Sequence, residues 1–198
     1  MRRQSASSGR SPYGAKFPQS RLILNIVAAS YFCSTCGKEH PGLPTDWAYN
    51  LPDVVHSLSY VERYRRARHN SDLCTLDEAR HFIRGLLPLQ INDSAQVFNW
   101  GIWAEVDRET HDVYVANFDG DMSKYPRGVG SIANEISVYG GTIGLGVAIQ
   151  YNPDNSRPTF HFPDGVVHAL ALEQRSGITA KRQHDILQEL GYFDDAGD

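Results

Sequence analysis

At 198 residues, with 41% hydrophobic and 21% charged residues, the chain has the composition of one ordinary globular domain. That excludes a collagen, a coiled coil and a mainly disordered polypeptide. No apolar run approaches the length of about eighteen residues that a membrane span needs, and three Cys are too few for a disulfide scaffold. A net charge of −4 argues against a general nucleic-acid or acidic-lipid binder. The expected partner is a protein or a small molecule, with no nucleic acid and no membrane.

Residues 1–21 carry five bases (Arg2, Arg3, Arg10, Lys16, Arg21) and no acid, leaving 14 bases against 23 acids for the rest. Rich in Ser, Gly and Pro, residues 1–30 are predicted to be a disordered basic leader. The run Leu22-Ile23-Leu24-Asn25-Ile26-Val27-Ala28-Ala29 leaves a signal peptide as the minority alternative to a cytoplasmic protein. One globular domain is expected over 31–193, followed by a tail at 194–198.

The domain opens with a turn-rich knuckle around Cys33-Ser34-Thr35-Cys36-Gly37, Pro41, Gly42 and Pro44. Ser59-Tyr60-Val61-Glu62 has the spacing of a capping box, and it predicts a helix running through Arg68 and ending before Asn70. The period then changes to two. Strands are predicted at Leu73–Asp77 and Phe82–Leu87, and most clearly at 97–106. There Phe98, Trp100, Ile102, Ala104 and Val106 share one face, opposite Asn99, Gly101, Trp103 and Glu105. Further strands are expected at Ser131–Ile136, Thr142–Tyr151 and Pro158–Phe162. Helices follow at Val167–Ser176, stopped by Gly177, and from the N-cap Thr179 to Leu190, stopped by Gly191. Strands grouped in the middle indicate α+β: a single domain with a mostly antiparallel sheet, an N-terminal CxxC knuckle and a C-terminal helical hairpin.

Cys33-x-x-Cys36-Gly37 is the sharpest chemical signal. Two thiolates at this spacing can hold one tetrahedral ion while Gly37 frees the backbone to turn toward the sulfurs. His40 lies within reach, and Cys74 is the only other thiol. Cys33, Cys36, His40 and Cys74 would make a closed, structural zinc site. His69 or His81 could replace His40, and free thiols or a redox dithiol are the competing readings. Pro41, Gly42 and Pro44 disfavour the helix that a redox dithiol would open.

Other motifs carry less. Gly128-Val129-Gly130-Ser131-Ile132-Ala133 has dinucleotide-fingerprint letters without the preceding apolar strand or the following helix, and reads as a strand entered through a glycine loop. Gly140-Gly141 and Gly144-Leu145-Gly146 read as bulges or close packing in a strand. The segment from Leu170 to Tyr192 has a helix–Gly–helix outline, but Glu173 and Gln183 occupy its critical positions. His161 and His168 flank Asp164, yet no nucleophile completes a catalytic constellation. Arg84, set among apolar neighbours, calls for a carboxylate or ligand partner. With Trp100, Trp103 and His168 it defines a candidate ligand or partner pocket.

Phe32-Cys33-x-x-Cys36-Gly37-x-x-His40, Leu43-Pro44, Ser71-Asp72-Leu73-Cys74, Phe82-Ile83-Arg84-Gly85 and Phe98-x-Trp100-Gly101-x-Trp103 occur in this order. With Arg157-Pro158 and His168-Ala169-Leu170-Ala171-x-x-Gln174-x-x-Gly177-Ile178, the chain resembles an uncharacterised prokaryotic family, domain of unknown function twenty-one ninety-nine, over about 31–180. The resemblance implies no activity, but it keeps the CxxCGxxH knuckle with the later Asp-x-Cys and so favours His40 as a ligand. The expected function is a non-catalytic binding or interaction module with a structural zinc knuckle. The alternative is a small-molecule enzyme with its pocket at Arg84, Trp103 and His168.

Overall fold

The alternation at 97–106 forms one arm of a long hairpin, and everything else is arranged around it. The computed structural model describes residues 31–32, 39–40, 42–92, 94–153 and 156–193. The leader, the CxxC turn and the tail lie outside the described residues.

Strands β1 (Tyr31–Phe32) and β2 (Glu39–His40) pair antiparallel, Tyr31 with His40 and Phe32 with Glu39. Then come β3 (Asp46–Ala48), the short helix α1 (Asp53–His56) and α2 (Tyr60–Arg66). The capping box forms as expected: the Ser59 hydroxyl accepts from the Glu62 amide, and the Glu62 carboxylate accepts from the Ser59 amide at 3.2 Å. The helix stops sooner than predicted. Ala67 adopts an extended conformation and opens β4 (Ala67–His69), because burying Ala67 opposite Leu76 in the sheet outweighs one more helical turn in solvent.

Next are β5 (Leu73–Leu76), β6 (Arg80–Gln90) and β7 (Val97–Val106). Strand β6 extends beyond the expected Leu87, through Pro88. The amides of Arg84 and Leu86 point away from β7, to the carbonyls of Asp72 and Pro158. Pro88 follows the same alternation, so its missing N–H breaks no bond to β7, and the Phe160 carbonyl on the β10 side accepts from the Gln174 side-chain amide at 2.8 Å instead.

Helix α3 (Arg108–Asn117) is not predicted by the apolar periodicity. Of its residues only Tyr114 is buried, so no apolar stripe marks it. Its start is nevertheless written locally, with the Asp107 carboxylate accepting from the Thr110 amide at 2.7 Å. A 3-10 turn (Met122–Lys124) leads to β8 (Gly128–Ile132), β9 (Gly146–Gln150) and β10 (Thr159–His161), then α4 (Ala169–Ser176) and α5 (Ala180–Glu189).

Two strand boundaries differ from expectation for one reason. Strand β8 begins at Gly128 instead of Ser131, and β9 begins only at Gly146. Residues 133–145 instead form a loop in which Gly140, Gly141 and Gly144 have positive φ. The Glu135 carboxylate accepts from the amides of Gly141 and Thr142 across that loop. The C-terminal helices form where expected, except that α4 starts at Ala169 and not Val167 because His168 is its N-cap. Gly177 and Gly191 lie in the left-handed region, and the Thr179 hydroxyl accepts from the Arg182 amide.

The sheet is mostly antiparallel, as expected, but it closes on itself. Its order is β3-β7-β8-β9-β10-β6-β5-β4 with β6 also paired to β7, so β6 to β10 form a five-stranded barrel. Closure comes from β10 meeting β6 in parallel at Thr159 and Leu86. Gly85 makes that approach possible, since a Cβ there would stand 2.4 Å from the Phe160 ring. Strands β6 and β7 pair from His81–Val106 to Gln90–Val97. Their alternation therefore feeds two cores. Ile83, Leu87, Leu89, Phe98, Trp100, Ile102 and Ala104 fill the barrel. Phe82 and Trp103 face outward into a second cluster with Leu51, Val55, Ala67, Cys74, Leu76 and Ala133. No helix among the described residues is long and apolar enough to cross a membrane.

Candidate functional site

The two tryptophans part company, as their opposite faces on the strand predict. Neither borders an open face, and both are fully buried. Trp100 lies in the barrel with its ring edge against Phe98 and Tyr139. Trp103 sits in the outer cluster, tied down on three sides. Its indole N–H donates to the Tyr49 carbonyl at 3.1 Å, its amide donates to Asn134 Oδ1 at 2.8 Å, and its carbonyl accepts from Ala133. Asn134, itself fully buried, donates onward to the Leu51 carbonyl and to Asp53 Oδ1. This amide stitches the segment before α1 to β7. Sequence reasoning missed it, because nothing local marks an Asn in a loop as a buried bridge.

Arg84 stands beside Trp103, its register partner, with the guanidinium carbon 5.9 Å from the indole ring centroid. The expected carboxylate partner is nearby but already engaged. Asp72 accepts from Arg157 Nε at 2.6 Å through Oδ1 and from the Ser71 hydroxyl through Oδ2. Arg84 is left with a long 3.4 Å bond from Nη1 to the Ser71 carbonyl. Burial and the neighbouring Arg157 charge both push its pKa down, and Asp72 opposes them. Asp72 and Arg157 occur in the motifs Ser71-Asp72-Leu73-Cys74 and Arg157-Pro158, so the signal was present without a role attached.

His168 is placed elsewhere, as the N-cap of α4. Its Nδ1 accepts from the Leu170 amide at 3.3 Å and its Nε2 lies 2.9 Å from the Gly140 carbonyl. Nδ1 thus caps α4 while Nε2 fastens it to the 133–145 loop. Of the four candidate pocket residues, the fold joins only Arg84 and Trp103.

Of the metal candidates, Cys33 and Cys36 lie outside the described residues, and His40 is described only as a member of β2. Cys74 is fully buried among apolar side chains of the outer cluster, and burial pushes its thiol up to about 11. His69 pairs with Cys74 in register across β4 and β5. His81 opposes Thr75 instead, and its ring lies tilted against that of His111 of α3, with centroids 4.7 Å apart. Among the described residues no three His, Cys, Asp or Glu side chains gather to hold an ion.

Helix α2 presents exposed aromatic surface. This helix buries none of its residues, and Tyr60 and Tyr64 are 82% and 76% exposed. It carries Arg63, Arg65 and Arg66, with Arg68 just beyond. Arg66 pairs with Asp77 at 2.7 Å. Arg63 and Arg68 donate only to backbone carbonyls, those of His56, Leu58, Tyr64 and Ala67. Tyr60, Arg63, Tyr64, Ala67, Arg68 and His69 line an open groove of about 460 Å³.

A family model described as an uncharacterized protein conserved in bacteria, DUF2199, matches residues 32–178. The chain belongs to this family. No curated protein and no solved structure matches it. The DUF2199 match takes in the knuckle, the whole barrel, the Arg84–Trp103 pair and α4, and it ends at Ile178. Helix α5 lies beyond that limit, although Ile186 and Leu187 complete the barrel core.

Proposed function

We propose that this DUF2199 chain is a non-catalytic interaction module that takes up an acidic protein segment along α2 and β4. The observation that carries this is a helix with no buried residue presenting two tyrosines. A surface helix ordinarily buries an apolar stripe, whereas α2 is held by its capping box and by Arg63 on the carbonyls of His56 and Leu58. Tyr and Arg together are the side chains that dominate binding energy at protein interfaces. Among the described residues no acid pairs with Arg63, Arg65 or Arg68, so the surface is positive and suits carboxylates. Among the described residues β4 is the outermost strand on this side of the sheet, and such an edge suits an extended segment. A long polyanion such as nucleic acid would also meet the remaining chain, whose acids outnumber its bases, whereas a short acidic segment meets the patch alone.

Anisotropy titration of a labelled Glu- and Asp-rich peptide at physiological salt tests this. Tyr64→Ala combined with Arg65→Glu should weaken binding at least tenfold with an unchanged thermal midpoint, since neither side chain is buried. Binding that survives the double substitution, or is absent from the native chain, overturns the reading. Tighter binding of a single-stranded oligonucleotide would make this a nucleic-acid interface.

For the knuckle we propose zinc held from Cys33, Cys36 and His40. The observation favouring it is the β1–β2 register, which brings the two ends of the CxxC segment side by side. Deprotonating Cys74 would act against its apolar surroundings, which favours Cys74 as a core thiol. Zinc content should then be lost in Cys36→Ser and kept in Cys74→Ser. Loss in both would make Cys74 the fourth ligand.

A further inference from the structure

Along β6 the outer neighbour changes. Strand β5 pairs with β6 from Arg80 to Ile83 and runs antiparallel, while β10 meets it at Leu86 and runs parallel. Both strands therefore begin at the same place and lead away from it in opposite directions. The residues that enter them, Asp72 before β5 and Arg157 before β10, flank a notch into which β6 contributes Arg84. The backbone fixes this arrangement, with the Arg84 amide on the Asp72 carbonyl and the Leu86 amide on the Pro158 carbonyl, both at 2.9 Å.

Among the described residues the charges in the notch do not balance. Two guanidiniums share one carboxylate, and both oxygens of Asp72 are spoken for by Arg157 and Ser71. Arg84 Nε is buried with no hydrogen-bond partner among the described residues. A desolvated cation without a counter-charge is costly, and folded proteins ordinarily supply one. Here the surroundings instead hold the guanidinium ready. Trp103 offers its ring as a cation–π partner to Arg84, and Asp72 holds Arg157 close enough for its charge to act on Arg84. Arginine forks match the geometry of an oxyanion, donating two parallel bonds to carboxylate or phosphate.

We propose that the notch between the starts of β5 and β10 binds a small oxyanionic ligand, a carboxylate or phosphate group, between Arg84 and Arg157. A bound oxyanion would supply the missing charge beside Arg84 and relieve the repulsion between the two guanidiniums. It is separate from the α2–β4 surface, and its test does not depend on the protein partner proposed there.

The test uses the full chain at fixed ionic strength, titrated separately with inorganic phosphate and with acetate. Thermal midpoint and the 15N-resolved Nε–H signal of Arg84 are followed, because a ligand that binds only the folded state raises its midpoint. Phosphate or acetate should shift the Arg84 Nε–H signal saturably and raise the midpoint. A response to phosphate alone identifies phosphoryl groups as the ligand chemistry, and a response to both includes carboxylates. Arg84→Gln should weaken the effect at least tenfold, and Arg157→Gln provides the same test should the first variant fold poorly. Arg80→Gln, on the same strand but paired with Glu105 at the surface, should respond as the native chain does. No saturable shift with either anion, or an equal midpoint rise in Arg84→Gln and Arg157→Gln, overturns the proposal.

Discussion

Two cores are built from the same two strands, and they differ in almost everything else. The barrel core is enclosed by the sheet and filled by every second residue of β6 and β7, with β9, β10 and the C-terminal helices adding Ile149, Phe160, Leu170, Ile186 and Leu187. The outer core around Phe82, Cys74 and Trp103 is roofed by the short helix α1 and its flanking loops. Its roof is held by single polar groups, above all Asn134 and Asp53. Apolar enclosure leaves no room for chemistry, whereas a roof fastened by hydrogen bonds leaves charged groups such as Arg84 at its margin. In this molecule the candidate sites cluster on the outer layer.

The comparison breaks most visibly at the tryptophans. Trp100→Ala empties the barrel and should cost about 3–5 kcal/mol. Denaturant unfolding would read the loss, and amide exchange should rise together in β6 to β10. Asn134→Ala instead leaves the Trp103 amide and the Leu51 carbonyl without their buried partner, a loss of about 1–3 kcal/mol. Exchange should then accelerate at residues 51–58 while β9 and β10 stay protected. Uniform acceleration would show that the two layers unfold as one.

Barrel closure is sharpened by Gly85→Ala. The added methyl meets the Phe160 ring, so a cost of about 1–3 kcal/mol is expected, with early exposure of β10 by exchange. A neutral result would mean that Phe160 can turn aside without opening the parallel contact.

The smallest effect is titration at the rim. Burial lowers the His81 pKa first, the charges of His111 and Arg108 lower it further, and Asp112 opposes them. Its folded value is therefore below the ordinary 6.5, so the unfolded chain takes up the proton first. Stability is full above that pH and declines as pH falls through it toward the lower folded value. His161 is shifted the same way, by burial and by Arg127. His81→Phe keeps a ring against His111 and removes one of the two titrations. The midpoint difference between pH 7.5 and 5.5 should shrink relative to the native chain, and an unchanged difference would remove His81 from the account.

Sequence alone determined whatever depends on neighbours a few residues apart. The faces of β7 follow from a period of two, the capping box at Ser59 from a three-residue spacing, and the stops at Gly177 and Gly191 from the freedom of glycine at positive φ. Helix α3 escaped because it has no apolar stripe, although Asp107 marks its start. What only the tertiary structure decided rests on contacts between distant segments. Thr159 meeting Leu86 turns a sheet into a barrel, and Asn134 reaching Leu51 roofs the outer core. Asp72 choosing Arg157 leaves Arg84 unmatched. Periodicity says which way a side chain faces, but not which distant group it will find there, because that partner is set by how strands close in space.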